Sequence, residues 1–218
     1  MVESVDGRID CHMVDKISGD EYYTTLDALG CHASVEGRVT MERYYAAPGR
    51  FSCADPVPAG RPGVFRATDR TDLHICPDTR GTLLWDGPVT DGGRPLLILT
   101  SEQAPEAYLE YLRGKNISYI VGGKGTIDLA GAMRVLYGTF GVERLAVLGG
   151  GLINGAFLSA GLLDELSLLL APGIDGREGQ RALFDGVHRP DGQPTVLRLQ
   201  SVERVGHNSD VLWLRYRV

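Results

Sequence analysis

Short apolar runs alternate with amphipathic stretches through the middle of the chain, and this alternation predicts an α/β fold. Pro95 to Thr100 reads as a buried strand, Pro105 to Arg113 as a helix and Ile117 to Val121 as another strand. Asp128 is placed to N-cap a helix running to about Phe140. A strand over Arg144 to Leu148 follows, then a helix after three consecutive glycines, then a core strand from Asp164 to Ala171. Alternation of this kind favours parallel strands with helices on both faces of the sheet. Thr195 to Val205 and Val211 to Val218 flank a polar turn from Gly206 to Asp210, so the sheet is expected to end in an antiparallel hairpin. The predicted architecture is a three-layer αβα domain with a mostly parallel, mixed sheet, one domain over residues 1–218. Prolines, glycines and arginines crowd the stretch from Ala46 to Gly93, where only Asp72 to Cys76 and Thr82 to Trp85 read as a short antiparallel pair.

The triple glycine carries the first chemistry. Gly149, Gly150 and Gly151 separate the apolar strand from the apolar helix that continues through Leu152 and Ile153. Without side chains there, backbone N–H groups and the positive helix terminus can approach a phosphate. A tight turn whose glycines serve packing alone fits the same residues equally well. Gly122-Gly123-Lys124-Gly125-Thr126 is not a P-loop, because Ser118 stands where the first glycine belongs and Gly125 follows Lys124. It reads as a turn beside a nucleotide's adenine.

Composition narrows the partners. A net charge of −6 opposes nucleic acid and anionic membrane, while the hydrophobic share of 43% and charged share of 23% are those of an ordinary globular protein. The amino terminus has no basic segment followed by an apolar one, so a cytoplasmic location is expected. Cys11, Cys31, Cys53 and Cys76 form no C-x-x-C pair, and His12, His32, His74, His188 and His207 lack metal-ligand spacing, so no metal is expected. Cys31-His32-Ala33-Ser34 lacks the glutamate of a zinc deaminase motif, and no Gly-x-Ser-x-Gly elbow supports a hydrolase.

Three segments in order resemble the dihydrofolate reductase-like superfamily and, within it, the riboflavin-biosynthesis reductases of the RibD C-terminal family. They are Ser4-Val5-Asp6-Gly7-Arg8-Ile9, Gly37-Arg38-Val39-Thr40-Met41-Glu42, and the triple glycine with Leu163-Asp164-Glu165-Leu166-Ser167-Leu168 and Ala171-Pro172-Gly173-Ile174-Asp175-Gly176 behind it. The resemblance implies an NADPH-dependent reductase that transfers hydride from the nicotinamide C4 to the ribose C1 of a ribosylamino-pyrimidine phosphate, opened to an imine. It implies cofactor contacts at Gly37, Arg38 and Thr40, with Thr40 as a helix N-cap, and at Gly122, Gly149, Gly150, Gly151, Leu152 and Ile153. Thr100 and Ser101, at a strand's carboxyl end, would bond the adenosine 2′-phosphate. Ser18 to Thr25 resembles a family loop that sets an aromatic residue, here Tyr23, beside the cofactor.

On the substrate side the resemblance implies Ser4, Asp20 and Leu148, with Asp6 or Glu21 as acid–base candidates alongside Asp20. Two departures from the family pattern stand out. Leu148 replaces a substrate-contacting glutamate, and Leu26 to Cys31 lacks the arginine that holds the substrate phosphate. Loss of a charge-assisted phosphate contact is worth about 1.5 to 3 kcal/mol, enough to change substrate preference. Arg38, Arg50, Arg61 and Arg66 remain as alternative phosphate contacts. A dihydrofolate reductase proper is disfavoured because its acidic pterin-binding residue has no counterpart, and a catalytically silent NADPH-binding protein is the other alternative. Homodimerisation is a further implication of the family.

Overall fold

The computed structural model describes residues 1–9, 11–90, 92–187, 192–207 and 210–218. In chain order the elements begin β1 (Val2–Glu3), α1 (Cys11–Val14), α2 (Glu21–Ala28), β2 (Ala33–Val35), α3 (Arg38–Tyr44), β3 (Gly63–Phe65) and β4 (His74–Pro77). They continue β5 (Leu96–Thr100), α4 (Glu106–Gly114), β6 (Ser118–Val121), α5 (Leu129–Phe140), β7 (Leu145–Val147) and α6 (Gly151–Ser159). β8 (Glu165–Leu170), β9 (Arg198–Val205) and β10 (Val211–Arg217) close the chain. Contacts cluster into two compact units, Cys31–Val147 and Met1–Gly30 with Leu148–Val218. Among the described residues no helix is long and apolar enough to cross a membrane.

The Cys31–Val147 unit holds a six-stranded sheet of order β3-β6-β5-β4-β2-β7, parallel except at the edge strand β3. Its central strands are buried at every position because both faces are covered, and Leu96, Leu97, Ile98 and Leu99 make β5 apolar at four of its five positions. Cys76, Ile98, Tyr119 and Val121 face one way, into a cluster with Met41 of α3 and Tyr108, Leu109 and Leu112 of α4. Asp128 caps α5 as expected, its carboxylate accepting from Gly131 N at 2.9 Å, and Gly141 ends that helix in the left-handed region.

The Met1–Gly30 and Leu148–Val218 unit holds a second sheet of order β1-β8-β10-β9. The C-terminal hairpin forms here, beside β8, instead of ending the first sheet. Residues Asn208 and Ser209 of its expected turn, and His188, lie outside the described residues. β1 is only two residues long and pairs in parallel with β8. Val2, Leu169, Ala171, Val211 and Trp213 pack with Val14 of α1, while Ile9, Leu168 and Leu183 form a cluster of their own.

The expected antiparallel pairing of Asp72 to Cys76 with Thr82 to Trp85 is not formed. β4 pairs in parallel with β2 and β5, and 82–85 contributes only an isolated bridge between Leu84 and Ala47. The cause is Asp78, a buried carboxylate that accepts from Thr82 N at 2.6 Å, Leu83 N at 2.8 Å and Tyr108 Oη at 3.3 Å, and so ties the chain into a turn. Gly81 completes it at φ +66°, with the Tyr108 ring where a Cβ would stand. Asp78→Ala leaves the buried Leu83 N–H, the half-buried Thr82 N–H and the Tyr108 hydroxyl proton without their acceptor, with an expected loss of about 3 kcal/mol, measured by urea unfolding.

Candidate functional site

In the unit that contains the triple glycine, the three residues are not equivalent. Gly149 sits at φ +90° with Met1 Cε only 2.6 Å from where a Cβ would be, and the Gly149–Gly150 peptide is cis. At Gly151 a Cβ would stand 2.4 Å from Ala182 O, and at Gly155, one turn on, 1.9 Å from Asp185 O. The backbone of 182–185 therefore lies directly on that face of α6, fastened by Asp185 N to Gly151 O at 3.0 Å and by Asn154 Nδ2 to Leu183 O at 2.8 Å. Packing against main-chain atoms demands glycine at 151 and 155, and the positive φ favours it at 149. Gly150 alone is open, its nearest neighbour being Ile9 Cδ1 at 3.6 Å.

Gly150 is also the N-cap of α6, and among the described residues no side-chain capping bond is made at that terminus. Backbone donors at an uncapped nine-residue helix are a ready seat for an anion. Leu152, in the first turn, is exposed, Ile153 is half-buried and Leu148 is half-buried. Asp185 and Asn154, which shape this turn, were not singled out from the sequence, although the Gly151-x-x-x-Gly155 spacing was there to mark a close backbone approach.

The Ser4–Arg8 segment is a locked turn. Ser4 is fully buried, and its hydroxyl donates to Asp6 Oδ1 at 2.6 Å while accepting from Arg8 N at 3.1 Å, so it is not free for substrate. Asp6 also accepts from Asp175 N and Gly176 N, each at 2.9 Å. These bonds, the Ser4 hydroxyl foremost, hold its carboxyl far below the usual carboxylate range. Asp6 is therefore an acceptor and not a proton donor near neutral pH. Asp175 is pulled down in the same way by Arg177, whose Nη2 donates to Asp175 Oδ2 at 2.8 Å.

A group with a depressed folded pKa contributes stability above its unfolded pKa and loses it as pH falls. The stability difference between wild type and Asp6→Asn is thus expected to be constant near neutrality. It should shrink below about pH 4, where an unfolded aspartate protonates. Thermal unfolding across that range checks it.

Ser18 to Thr25 does not remain a loop: from Glu21 it is the first turns of α2, because nothing between Glu21 and Ala28 breaks a helix. Tyr23 is 66% exposed and meets Tyr22 edge-on at 5.2 Å. Asp20 is the α2 N-cap residue but makes no capping bond. Glu21 accepts from Gly19 N at 2.5 Å and packs where a Cβ on Gly206 would stand.

In the Cys31–Val147 unit, α3 begins at Arg38 with Gly37 as N-cap, so Thr40 is the third helical residue and not the cap. The extended backbone of Gly37, at ψ 149°, starts the helix early. Arg38 Nη1 is engaged with Glu42 Oε2 at 2.9 Å, and Arg50 holds the other oxygen at 3.1 Å. Thr100 and Ser101 are fully buried, and both hydroxyls donate to Thr79 O, at 3.2 and 2.8 Å. They fasten the 78–83 turn to the end of β5 and present no hydroxyl to a ligand. Gly122 follows β6, its N–H bonded to Thr100 O at 3.0 Å, but the residue the turn needs is Gly123, at φ +92° with Thr126 O in the place of a Cβ. Gly37, Thr100, Ser101 and Gly122 lie at or just past the carboxyl ends of β2, β5 and β6, where open α/β sheets bind ligands.

A protein of Methanothermobacter thermautotrophicus named 2,5-diamino-6-ribosylamino-4(3H)-pyrimidinone 5′-phosphate reductase is 38% identical over 149 residues, 68% of this chain and 59% of that one. An Aquifex aeolicus protein of the same name is 34% identical over 121 residues, 55% of this chain and 54% of its own. The chain thus spans between half and two thirds of the length of these relatives. In fold it is similar to a pyrimidine reductase-like protein from Corynebacterium diphtheriae, with a TM-score of 0.65 and 20% identity over 100% of this chain and 89% of that one. It is also similar to Acinetobacter baumannii RibD, with a TM-score of 0.65 and 17% identity over 100% of this chain and 56% of the other. Residues 1–210 match the model of the RibD C-terminal domain, and the chain belongs to that family.

Proposed function

We propose that this chain is an NADPH-dependent reductase that delivers hydride to the ribose C1 of a ribosylamino-pyrimidine phosphate. The observation that carries the reading is the α6 terminus: an uncapped helix start whose N-cap, Gly150, has open space where the neighbouring glycines are filled. Gly150, Gly151 and Leu152 would hold the cofactor's pyrophosphate through backbone N–H groups. Gly37, Arg38, Thr40, Gly122 and Tyr23 are proposed as further cofactor contacts. When bound, the cofactor supplies the hydride.

The chain's own part is to hold and to orient. Near-attack geometry requires reacting atoms about 3 to 3.5 Å apart, and the rigid Ser4–Arg8 turn is suited to fix one side of it. Asp6 Oδ2 accepts from Gly176 N, and a carboxylate oxygen has a second acceptor position to offer a substrate hydroxyl. With Asp6 held as an acceptor, Asp20 and Glu21 are the two of the three carboxyls left as proton-transfer candidates.

A second reading, reduction of a different small substrate, is favoured by one observation: half-buried, apolar Leu148 stands directly before the glycines. NADPH titration followed by nicotinamide fluorescence tests the shared part of both readings. Saturable binding is expected, and absence of binding defeats both. A homodimer in the cytoplasm is proposed from the family, and light scattering checks the former.

A further inference from the structure

His74 has no part in the reading above, yet it is bound on every side. Its side chain is 3% exposed, with Nε2 3.1 Å from Glu36 Oε1 and Nδ1 3.0 Å from Thr90 Oγ1. Glu36 is itself only 15% exposed. Burying an imidazole against a carboxylate costs desolvation that an apolar pair would not, so stability is a weak reason for the pair. Position is the better one.

The neighbours show what is positioned. Glu36 N donates to Ile75 O at 3.1 Å, and the next residue, Gly37, is the α3 N-cap. At the other end Tyr45, the α3 C-cap, sets its ring edge-on to His74, with centroids 4.7 Å apart and planes at 85°. The residues flanking α3 on both sides thus meet on one imidazole carried by β4. A helix of seven residues is too short to hold itself and takes its orientation from such contacts.

The geometry points to His74 as a positioning residue that, through Glu36 and Tyr45, holds α3 in the orientation in which Gly37, Arg38 and Thr40 meet the nucleotide. The last step rests on the proposed NADPH function, and the holding of α3 does not. Gln in place of His sets an amide nitrogen near the Nε2 position and keeps the Glu36 bond, whereas Asn reaches only the Nδ1 position.

The test compares His74→Gln, His74→Asn and the shape-conserving Glu36→Gln by amide exchange and NADPH titration. In His74→Asn the Met41 and Tyr45 amides, bonded to Gly37 O and Met41 O, should exchange faster while the β4 and β5 amides keep their protection. NADPH should bind on the order of tenfold more weakly, with kcat at saturation unchanged. His74→Gln, which keeps the Glu36 bond but loses the ring against Tyr45, and Glu36→Gln, which keeps the ring, should each lie between wild type and His74→Asn in both measurements. Wild-type exchange at Met41 and Tyr45 in His74→Asn overturns the proposal whatever NADPH does. Uniform loosening of β4 and β5 overturns it too, by making the pair a general stabiliser. Loosened α3 amides with unchanged NADPH affinity overturn the link to the nucleotide. A wild-type protein that binds no NADPH defeats the functional reading, and amide exchange then decides the α3 contact alone.

Discussion

Gly155→Ala is expected to unseat residues 182–187 from α6. The added Cβ would stand 1.9 Å from Asp185 O, a main-chain atom that cannot rotate away, so either α6 or the segment must move. Forcing a methyl group into backbone packing costs about 1 to 3 kcal/mol or more. For a chain of this length that lowers Tm by on the order of 10 °C. Losses should spread to Asp185 N on Gly151 O and to Asn154 Nδ2 on Leu183 O, which share the contact. Calorimetry measures the first effect and amide exchange at Asp185 the second. A variant with wild-type Tm would mean that 182–185 does not rest on α6.

Gly150→Ala should behave in the opposite way. Its Cβ would meet only Ile9 Cδ1 at 3.6 Å, an ordinary contact, and φ at this residue is −78°, which alanine adopts freely. The fold should stay within about 1 kcal/mol of wild type. If the uncapped terminus seats a pyrophosphate, the methyl group stands in the way of charge-assisted bonds worth about 1.5 to 3 kcal/mol each. NADPH affinity should then fall at least tenfold. Unchanged affinity in a stable Gly150→Ala protein would remove the anion seat and leave the glycine run a structural turn alone. The pair of variants separates the two roles that one glycine run left open.

Much of the fold follows from local pattern. The run from Leu96 to Leu99 is buried on both faces and reads as a strand without ambiguity, and Asp128 announces α5. The site motifs were legible as positions at strand ends, because Gly37 and Gly122 follow β2 and β6 in the chain. What local pattern does not contain is where hydroxyls and carboxylates point. Thr100 and Ser101 look like phosphate donors until Thr79 O is found beneath them. Asp6 looks like an acid until Ser4, Asp175 and Gly176 are seen to stabilise its charge, and residues 175 and 176 are remote in sequence. The turn that replaced the expected strand at 82–85 depends on Asp78 and Tyr108, thirty positions apart. Long-range partners decided each of these, and none leaves a periodic trace.

The account's central claim is hydride transfer from NADPH to a ribosylamino-pyrimidine phosphate. The direct measurement is loss of the reduced-nicotinamide absorbance on mixing this chain, NADPH and 2,5-diamino-6-ribosylamino-4(3H)-pyrimidinone 5′-phosphate, with the product identified by mass. The account predicts turnover that needs all three components and yields a product two hydrogens heavier, with Gly150→Ala slower at limiting NADPH. Tight NADPH binding with no turnover of this substrate would contradict it.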